Sequence, residues 1–326
     1  MFEVRQVFAA LAAGAIFSLV VTAQAQAADA PAATAVPAAK AAKATNAKTS
    51  QAKAPAAAAA RPVQVAPMTA AQVLDKHIAA RGGAQAWKAV QALQVSGKVD
   101  AGKGDNYARA MKMVNAGKKA SGKGSSAEIA AANGPKDADK QVELPFTLDL
   151  KRPNKTRLEI EFAGKTAVQV YDGQHGWKLR PFLNRSDVEP FTKDEAKTEA
   201  SRDDLDGPLI GSTAKGAKVD LDGAELVEGQ PAYKLKVTQK NGDVKHVWID
   251  AKTFLDVKMD GFPRRMDGKM HNVYVYQRDF RSVQGVMIPF VMETAVDGYS
   301  DTHKMTIEKA AVNPQLDEAL FAKPHA

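Results

Sequence analysis

The sequence predicts an α+β fold in which most of the chain forms one long antiparallel meander. From about residue 93, apolar side chains alternate with polar ones at a period of two, as in half-buried strands. Asp172-Gly173 and Asn241-Gly242 separate such runs, and both dipeptides are typical of tight hairpin turns because those turns require positive φ. Helical signals occur only before these runs and once in mid-chain, which favours α+β over a layered α/β fold.

The first predicted helix begins at a capping box, Thr69-Ala-Ala-Gln72, and ends at Gly82-Gly83. Its apolar stripe consists of Val73, Leu74, His77 and Ile78. We expect His77 to be a helix-packing histidine, and a short second helix over residues 84–90 to bury Trp87. In mid-chain, a polar helix is predicted from Pro190 to about Leu205, with Thr192 as its cap and Glu195 three residues later.

The alternating runs predict about ten to twelve strands, mostly joined by short turns. An antiparallel sheet of this length curls or splits to avoid open edges. If the sheet curls, its apolar concave face needs a cover, and the two helical segments are the candidates. The runs centre on residues 93–99, 146–150, 158–162, 168–170, 177–179, 233–237, 244–250, 273–280, 286–294 and 303–311.

The first 67 residues are predicted to be an export signal followed by a tether. Residues 1–27 have a basic start at Arg5, an apolar run of about 15 residues and a small-x-small cleavage site at Ala25-Gln26-Ala27. That run is short of the ~20 residues that span a bilayer, so we expect cleavage near Ala27, a periplasmic location and no transmembrane segment in the mature protein. Residues 28–67 are rich in alanine, proline and lysine and are predicted to be disordered.

The net charge of +8 comes from two segments outside the predicted core. Residues 28–67 contain five lysine or arginine residues and one aspartate, and residues 102–140 contain eight basic and four acidic residues. Residues 102–140, rich in glycine, alanine, serine and lysine, are predicted to be a flexible basic insertion, in which Tyr107–Val114 could add a weak strand. The folded remainder of 68–326 is neutral overall, which argues against nucleic-acid binding.

Sequence motifs for catalysis are weak. The chain has no cysteine, which excludes disulfides, thiolate metal sites, a cysteine nucleophile and a lipid anchor. Gly117–Gly124 falls one residue short of a phosphate-binding loop, and the six histidines show no metal-ligand spacing. We therefore expect no enzyme activity, no metal and no cofactor. Asp203–Asp206 is expected to be a solvated acidic cluster, and Phe262–Met266 an exposed apolar and basic loop.

Several stretches resemble the LolA/LolB superfamily, in particular the outer membrane lipoprotein-sorting subgroup. They are QVLDKHIAARGGAQAWKAVQALQVSGKV, KRPNKTRLEIEFAGKTAVQVYDGQHGW, DLDGPLIG, VWIDAKTFLDVKMD and NPQLDEALFAKP. The resemblance covers residues 68–324 apart from the insertion. It implies a curved antiparallel half-barrel whose concave face is lidded by helices and encloses an apolar cavity.

The leading hypothesis is a periplasmic carrier or binding protein for the acyl chains of lipoproteins or for free lipids. The alternative is an RseB-like envelope sensor that uses the same fold without transport, with an envelope protein as its partner. An envelope hydrolase built from His175, His246 or His271 is the least supported. The candidate cavity residues are Leu74, Ile78, Trp87, Phe146, Leu148, Leu150, Leu158, Ile160, Phe162, Val168, Val170, Trp177 and Leu179.

Overall fold

A computed structural model describes residues 63–103, 141–162, 164–181 and 187–325. The predicted signal, nearly all of the predicted tether, most of the insertion and the weak strand Tyr107–Val114 lie outside the described residues.

The predicted helices are confirmed, with one correction. Helix α1 spans Ala70–Ala80 and has the predicted Thr69–Gln72 capping box, and α2 spans Ala84–Ala89. Helix α3, Lys193–Ala200, begins at the predicted Thr192–Glu195 capping box but ends five residues earlier than expected. A short 3-10 helix, Glu318–Phe321, follows the last strand.

Fifteen strands are present in the described part of the chain, so the prediction of ten to twelve was too low. Three of the strands that account for the difference, β6, β11 and β12, have only three residues each, too few to show alternation. The strands are β1 (Ala92–Lys103), β2 (Gln141–Lys151), β3 (Lys155–Phe162), β4 (Lys165–Tyr171), β5 (Gly176–Leu179), β6 (Val188–Pro190), β7 (Lys218–Val227), β8 (Gln230–Thr238), β9 (Val244–Asp250), β10 (Asp256–Asp260), β11 (Arg264–Met266), β12 (Lys269–His271), β13 (Val273–Val283), β14 (Val286–Val296) and β15 (Thr302–Val312).

Thirteen of these strands form one antiparallel sheet, which confirms the predicted meander. The spatial order is β6-β5-β4-β3-β2-β1-β15-β14-β13-β10-β9-β8-β7, and β11 and β12 form a separate hairpin. The order has β6 at one edge and β7 at the other, so the described strands do not close into a barrel. Strands β1 to β6 form one half of the sheet, in sequence order from β1 to the β6 edge. The other half begins at the opposite edge with β7 and ends with β15, which pairs with β1.

This topology places the connection between β6 and β7 across the sheet. Strands β6 and β7 are consecutive in sequence but lie at opposite edges, so residues 191–217 must pass over one face. Leu205, Leu209 and Ile210 of this crossing segment belong to the same buried apolar cluster as the core side chains of the strands. The crossing segment, defined as residues 191–217, thus packs against the apolar face of the sheet through these three side chains.

The turn between α1 and α2 depends on two glycines that differ in what surrounds them. Gly82 and Gly83 both have positive φ, at 102° and 90°. A Cβ atom on Gly82 would lie 2.1 Å from the carbonyl oxygen of Gly285, whereas a Cβ on Gly83 would have no heavy atom within 4 Å. The first glycine therefore permits both a backbone conformation and a close approach to the β13–β14 turn, and the second permits the conformation alone.

Alanine substitutions at Gly82 and Gly83 separate the cost of backbone strain from the cost of a steric clash. We expect Gly83→Ala to lower the free energy of unfolding by about 1–2 kcal/mol through strain alone. Gly82→Ala should cost about 1–3 kcal/mol more, because the turn at Gly285 must move. Urea unfolding of both variants followed by circular dichroism measures the difference. Equal losses would show that the approach to Gly285 relaxes without cost.

Candidate ligand-binding core

The main apolar cluster occupies one face of the sheet, which we call the core face. Directly opposed residues of antiparallel strands point to the same face, so the pairs Leu148–Leu158 and Tyr233–Ile249 place four strands' side chains on it. Nine of the predicted cavity residues lie in or against this cluster. They are Leu74, Ile78, Trp87, Phe146, Leu148, Leu150, Leu158, Ile160 and Phe162.

The other four predicted residues lie in a different cluster. Ile160 pairs with Ala167, so the core face of β4 presents Ala167, while Val168 pairs with Glu159 on the opposite face. Side chains from the end of the chain, including Phe321 of the 3-10 helix, cover that face. The residues placed there are Val168, Val170, Trp177 and Leu179. The structure thus does not bring them together with the other nine.

Helices α1 and α2 contact the core face through buried side chains and a buried ion pair. Val73 and Trp87 belong to the main cluster. The guanidinium of Arg81, in the turn between the helices, donates from Nη1 to Oδ1 of Asp256 at 2.8 Å, and both side chains are about 5% exposed. Its Nε also donates to the carbonyl oxygen of Met287. These contacts fix the helix pair to β10 and β14.

His77 is a packing residue, as predicted from its place on the apolar stripe of α1. It is 1% exposed, and its Nδ1 lies 3.0 Å from the carbonyl oxygen of Phe254. Burial lowers the pKa of His77 below its usual value, with the nearby Asp256 acting in the opposite direction. The side chain is therefore a neutral link between α1 and the β9–β10 turn.

Sequence reasoning missed the charged side chains that attach the crossing segment to the sheet. Lys178 of β5 donates to both carboxylate oxygens of Glu195 in α3, at 2.6 and 2.7 Å, and both residues are 6% exposed. Lys178 alternates with Trp177 and Leu179, which were predicted to line the cavity, so the pattern placed Lys178 on the outer face and the structure reverses this assignment. This ion pair attaches α3 to β5, next to the β6 edge of the sheet.

Glu199 forms a second buried link. Its Oε1 accepts hydrogen bonds from the hydroxyl of Thr156 at 2.9 Å and from Nε of Arg202 at 2.9 Å. Burial raises the pKa of the Glu199 carboxyl, and Arg202 acts against that shift. Because Thr156 lies on β3, this link ties the end of α3 to the centre of one half of the sheet.

The acidic residues 203–206 were expected to be solvated, and this expectation was wrong. Asp203 accepts from Lys245 of β9 at 2.8 Å, and its side chain is 7% exposed. Asp204 is paired with Arg152, and Asp206 accepts from Lys215 at 2.5 Å. The cluster is thus a set of ion-pair partners that anchors the crossing segment near both the β2–β3 turn and β9.

The segment Phe262–Met266 is not a simple exposed loop. Arg264–Met266 pairs with Lys269–His271 as the β11–β12 hairpin, and the register places Arg264 opposite His271. Met266 packs against the main cluster. The hairpin is therefore a third element against the core face, after the helix pair and the crossing segment.

The three histidines weighed for a hydrolase lie on separate elements. His175 is in an exposed turn beside Asp172, His246 is on β9 with its Nδ1 2.8 Å from Asp260, and His271 is on β12. Within the described ranges, no group of three or more histidine, cysteine or acidic residues is arranged to hold a metal ion.

No protein-family model and no curated protein matches this sequence. Solved structures do match. A LolA superfamily protein from Nitrosomonas europaea aligns with a TM-score of 0.47 and 13% identity, over 79% of this chain and 99% of that one. A DUF1329 family protein from Desulfovibrio piger aligns with a TM-score of 0.46 and 13% identity, over 78% of this chain and 97% of that one. A putative outer membrane lipoprotein-sorting protein domain from Vibrio parahaemolyticus aligns with a TM-score of 0.43 and 10% identity, over 77% of this chain and 95% of that one.

Two of these printed names, a LolA superfamily protein and an outer membrane lipoprotein-sorting protein domain, belong to the groups that the sequence motifs resemble. Among the helices in the described part of the chain, none has the length and hydrophobicity that a membrane span requires.

Proposed function

We propose that this chain is a periplasmic, non-enzymatic carrier or binding protein for acyl chains of lipoproteins or lipids. The observation that carries the proposal is the single apolar cluster that extends along the core face. It runs from Leu158 and Ala167 on one side of the sheet to Leu235 and Ile249 on the other. It also includes Val73 of the helix pair and Leu209 of the crossing segment, which together we call the cover. In this proposal the sheet curves around that face as a half-barrel, and an acyl chain lies between the sheet and its cover.

The contacts of the cover support its role as a movable lid. Its polar attachments to the sheet are discrete: Arg81–Asp256 for the helix pair, and Lys178–Glu195, Thr156–Glu199, Arg152–Asp204 and Lys245–Asp203 for the crossing segment. On α1, Val73 is buried in the main cluster, whereas Leu74 and Ile78 are only partly buried. An acyl chain that enters along these side chains replaces apolar contacts with apolar contacts, so the ion pairs need not open.

Burial of an acyl chain provides enough free energy without catalysis. Each methylene removed from water contributes about 0.8 kcal/mol, so a 16-carbon chain contributes up to about 12 kcal/mol before the cost of opening the lid. A ligand that binds the open state better shifts the population towards it. Release to a tighter acceptor then runs downhill, with no nucleotide and no reacting residue.

The first test is native mass spectrometry with lipid extraction on the mature protein isolated gently from its own envelope. We expect stoichiometric acyl-chain or lipoprotein adducts. A measured mass equal to that of the protein without ligand, together with no uptake of added lipids, would contradict the carrier proposal. The next hypothesis would then be the RseB-like sensor, which needs a protein partner instead of transport.

A pair of neighbouring substitutions on β4 tests where the acyl chain lies. Ala167 faces the main cluster and is 6% exposed, whereas the adjacent Thr166 is exposed on the other face. Ala167→Phe adds volume between sheet and cover, and we expect it to weaken uptake of a fluorescent fatty acid by about tenfold or more, at a stability cost of about 1–3 kcal/mol. Thr166→Phe should leave uptake unchanged. Equal uptake by both variants would place the ligand elsewhere.

A further inference from the structure

The β11–β12 hairpin brings polar side chains to one end of the core face. Thr294 of β14 pairs with His303 of β15, on the same face as the buried Met292 and Met305. Tyr299, in the turn between these strands, packs against the main cluster, as Met266 of the hairpin does. This end lies opposite the α1–α2 turn, which contacts the starts of β10 and β14.

A cation and two imidazoles meet at this end. Arg264 lies directly across the hairpin from His271. The charge of Arg264 is also the next cause, after burial, that lowers the pKa of His303 to about 4, while Asp301 and a hydrogen bond to the backbone of Asp100 act against the shift. Burial alone lowers the pKa of Arg264 to about 10. The guanidinium is therefore partly desolvated; the register places Arg264 opposite His271, and its charge acts on His303.

Each imidazole has one buried nitrogen that is left unsatisfied. Nδ1 of His271 lies 3.0 Å from the carbonyl oxygen of Asp297, which can only accept, so Nδ1 is the donor of this hydrogen bond and Nε2 is left for another partner. Within the described residues, Nε2 of His271 and Nδ1 of His303 are buried and have no hydrogen-bond partner. Buried polar atoms without partners are rare, because each costs free energy until a ligand or water satisfies it.

We propose that Arg264, His271 and His303 form a head-group site for an acidic lipid, at the end of the acyl-chain site. This inference rests on the proposed function and narrows its substrate class to acyl ligands with a free carboxyl or phosphate group. The guanidinium donates to two oxygens of such a group, a geometry that suits both carboxylate and phosphate. The imidazole nitrogens accept its O–H or, when protonated, donate to its oxygens.

The test compares three ligands of equal chain length: laurate, dodecyl phosphate and dodecanol. Binding to the full-length chain is measured by isothermal titration calorimetry in the wild type, in Arg264→Gln and in Arg265→Gln. Arg265 is the matched control, because it is the next residue on β11 but is exposed and donates to the carbonyl oxygen of Gly268. We expect the affinity ratio of laurate or dodecyl phosphate to dodecanol to fall by about tenfold in Arg264→Gln only.

The outcomes separate this inference from the proposed function. An equal ratio in all three proteins overturns the head-group site but leaves the acyl-chain site in place. Failure of every dodecyl ligand to bind the wild type overturns both. A larger fall for laurate than for dodecyl phosphate identifies a carboxylate site, and the reverse identifies a phosphate site. If Arg264→Gln does not fold by circular dichroism, His303→Phe replaces it, with the same expected fall.

Discussion

Asp256→Ala should lower the free energy of unfolding by about 3–5 kcal/mol, since it leaves the buried guanidinium of Arg81 without its carboxylate. The remaining contacts of Arg81 cannot take over this role. Its Nε bonds a neutral carbonyl oxygen, and its guanidinium lies 4.9 Å from the ring centre of Trp87. Neither supplies a full negative charge in a site that excludes water.

Two control proteins make this prediction specific. Arg281 and Asp279 form a pair of the same residue types on the surface, with side chains 54% and 45% exposed. Asp279→Asn should therefore cost less than about 1 kcal/mol, because it removes the charge and asparagine tolerates the positive φ of 53° at this position. The double variant Arg81→Leu/Asp256→Leu should recover much of the loss, because it removes both buried charges. Urea unfolding monitored by circular dichroism measures all three proteins. Similar losses for Asp256→Ala and Asp279→Asn would refute the role of burial.

The strands and helix starts could be predicted because their signals are local. The Thr69–Gln72 and Thr192–Glu195 capping boxes each lie within four residues, and the structure has both. Alternation in residues 158–162 likewise identified β3 and its buried side chains. Such signals depend only on the backbone period and on neighbouring side chains, so one sequence is sufficient to find them.

The face on which β4 and β5 place their apolar residues could not be predicted. Alternation separates the two faces of a strand but does not say which is covered, and here both are. Ala167 and Tyr171 are buried on the core face, while Val170 is buried against Phe321, 151 residues further along the chain. The sequence pattern favoured the larger valines, whereas the small Ala167 is the residue of β4 that belongs to the main cluster.

The ion pairs that attach the crossing segment to the sheet could not be predicted for a related reason. Lys178 and Glu195 are buried together only because the connection between β6 and β7 crosses the sheet, and that crossing follows from the strand order. A single sequence gives the strands but not their order. In the sequence, the acidic residues around Asp203 therefore resemble an exposed helix end, whereas the fold places Lys245 of β9 beside them.

Acidification from pH 7 to pH 5 should lower the free energy of unfolding by about 2 kcal/mol through His303 alone. Burial, with Arg264 as the next cause, lowers the pKa of His303 from 6.5 to about 4 in the folded state. Above pH 6.5 the ring is neutral in both states and its contribution is complete. Between pH 6.5 and 4 the unfolded chain binds a proton that the folded chain does not, so stability falls as the pH falls.

Other groups also change the stability on acidification, so the part due to His303 is isolated by comparison with His303→Gln. Glu318, whose pKa is lowered to about 2 by Lys151 and Lys155, loses its contribution only as the pH falls from 4.5 towards 2. The raised pKa of Glu199 has the opposite sign, because its protonation on acidification favours the folded state. His77, whose pKa burial also lowers, adds to the loss from His303 in the same direction.

The measurement is urea unfolding at pH 7 and pH 5 in the wild type, in His303→Gln and in His175→Gln. His303→Gln should remove about 2 kcal/mol of the difference between the two pH values, because glutamine does not titrate. His175→Gln changes a histidine whose side chain is 69% exposed in a turn, so the wild-type difference should remain. An unchanged difference in His303→Gln would mean that the ring already takes up its proton in the folded state. The desolvated environment beside Arg264, on which the head-group site depends, would then be excluded.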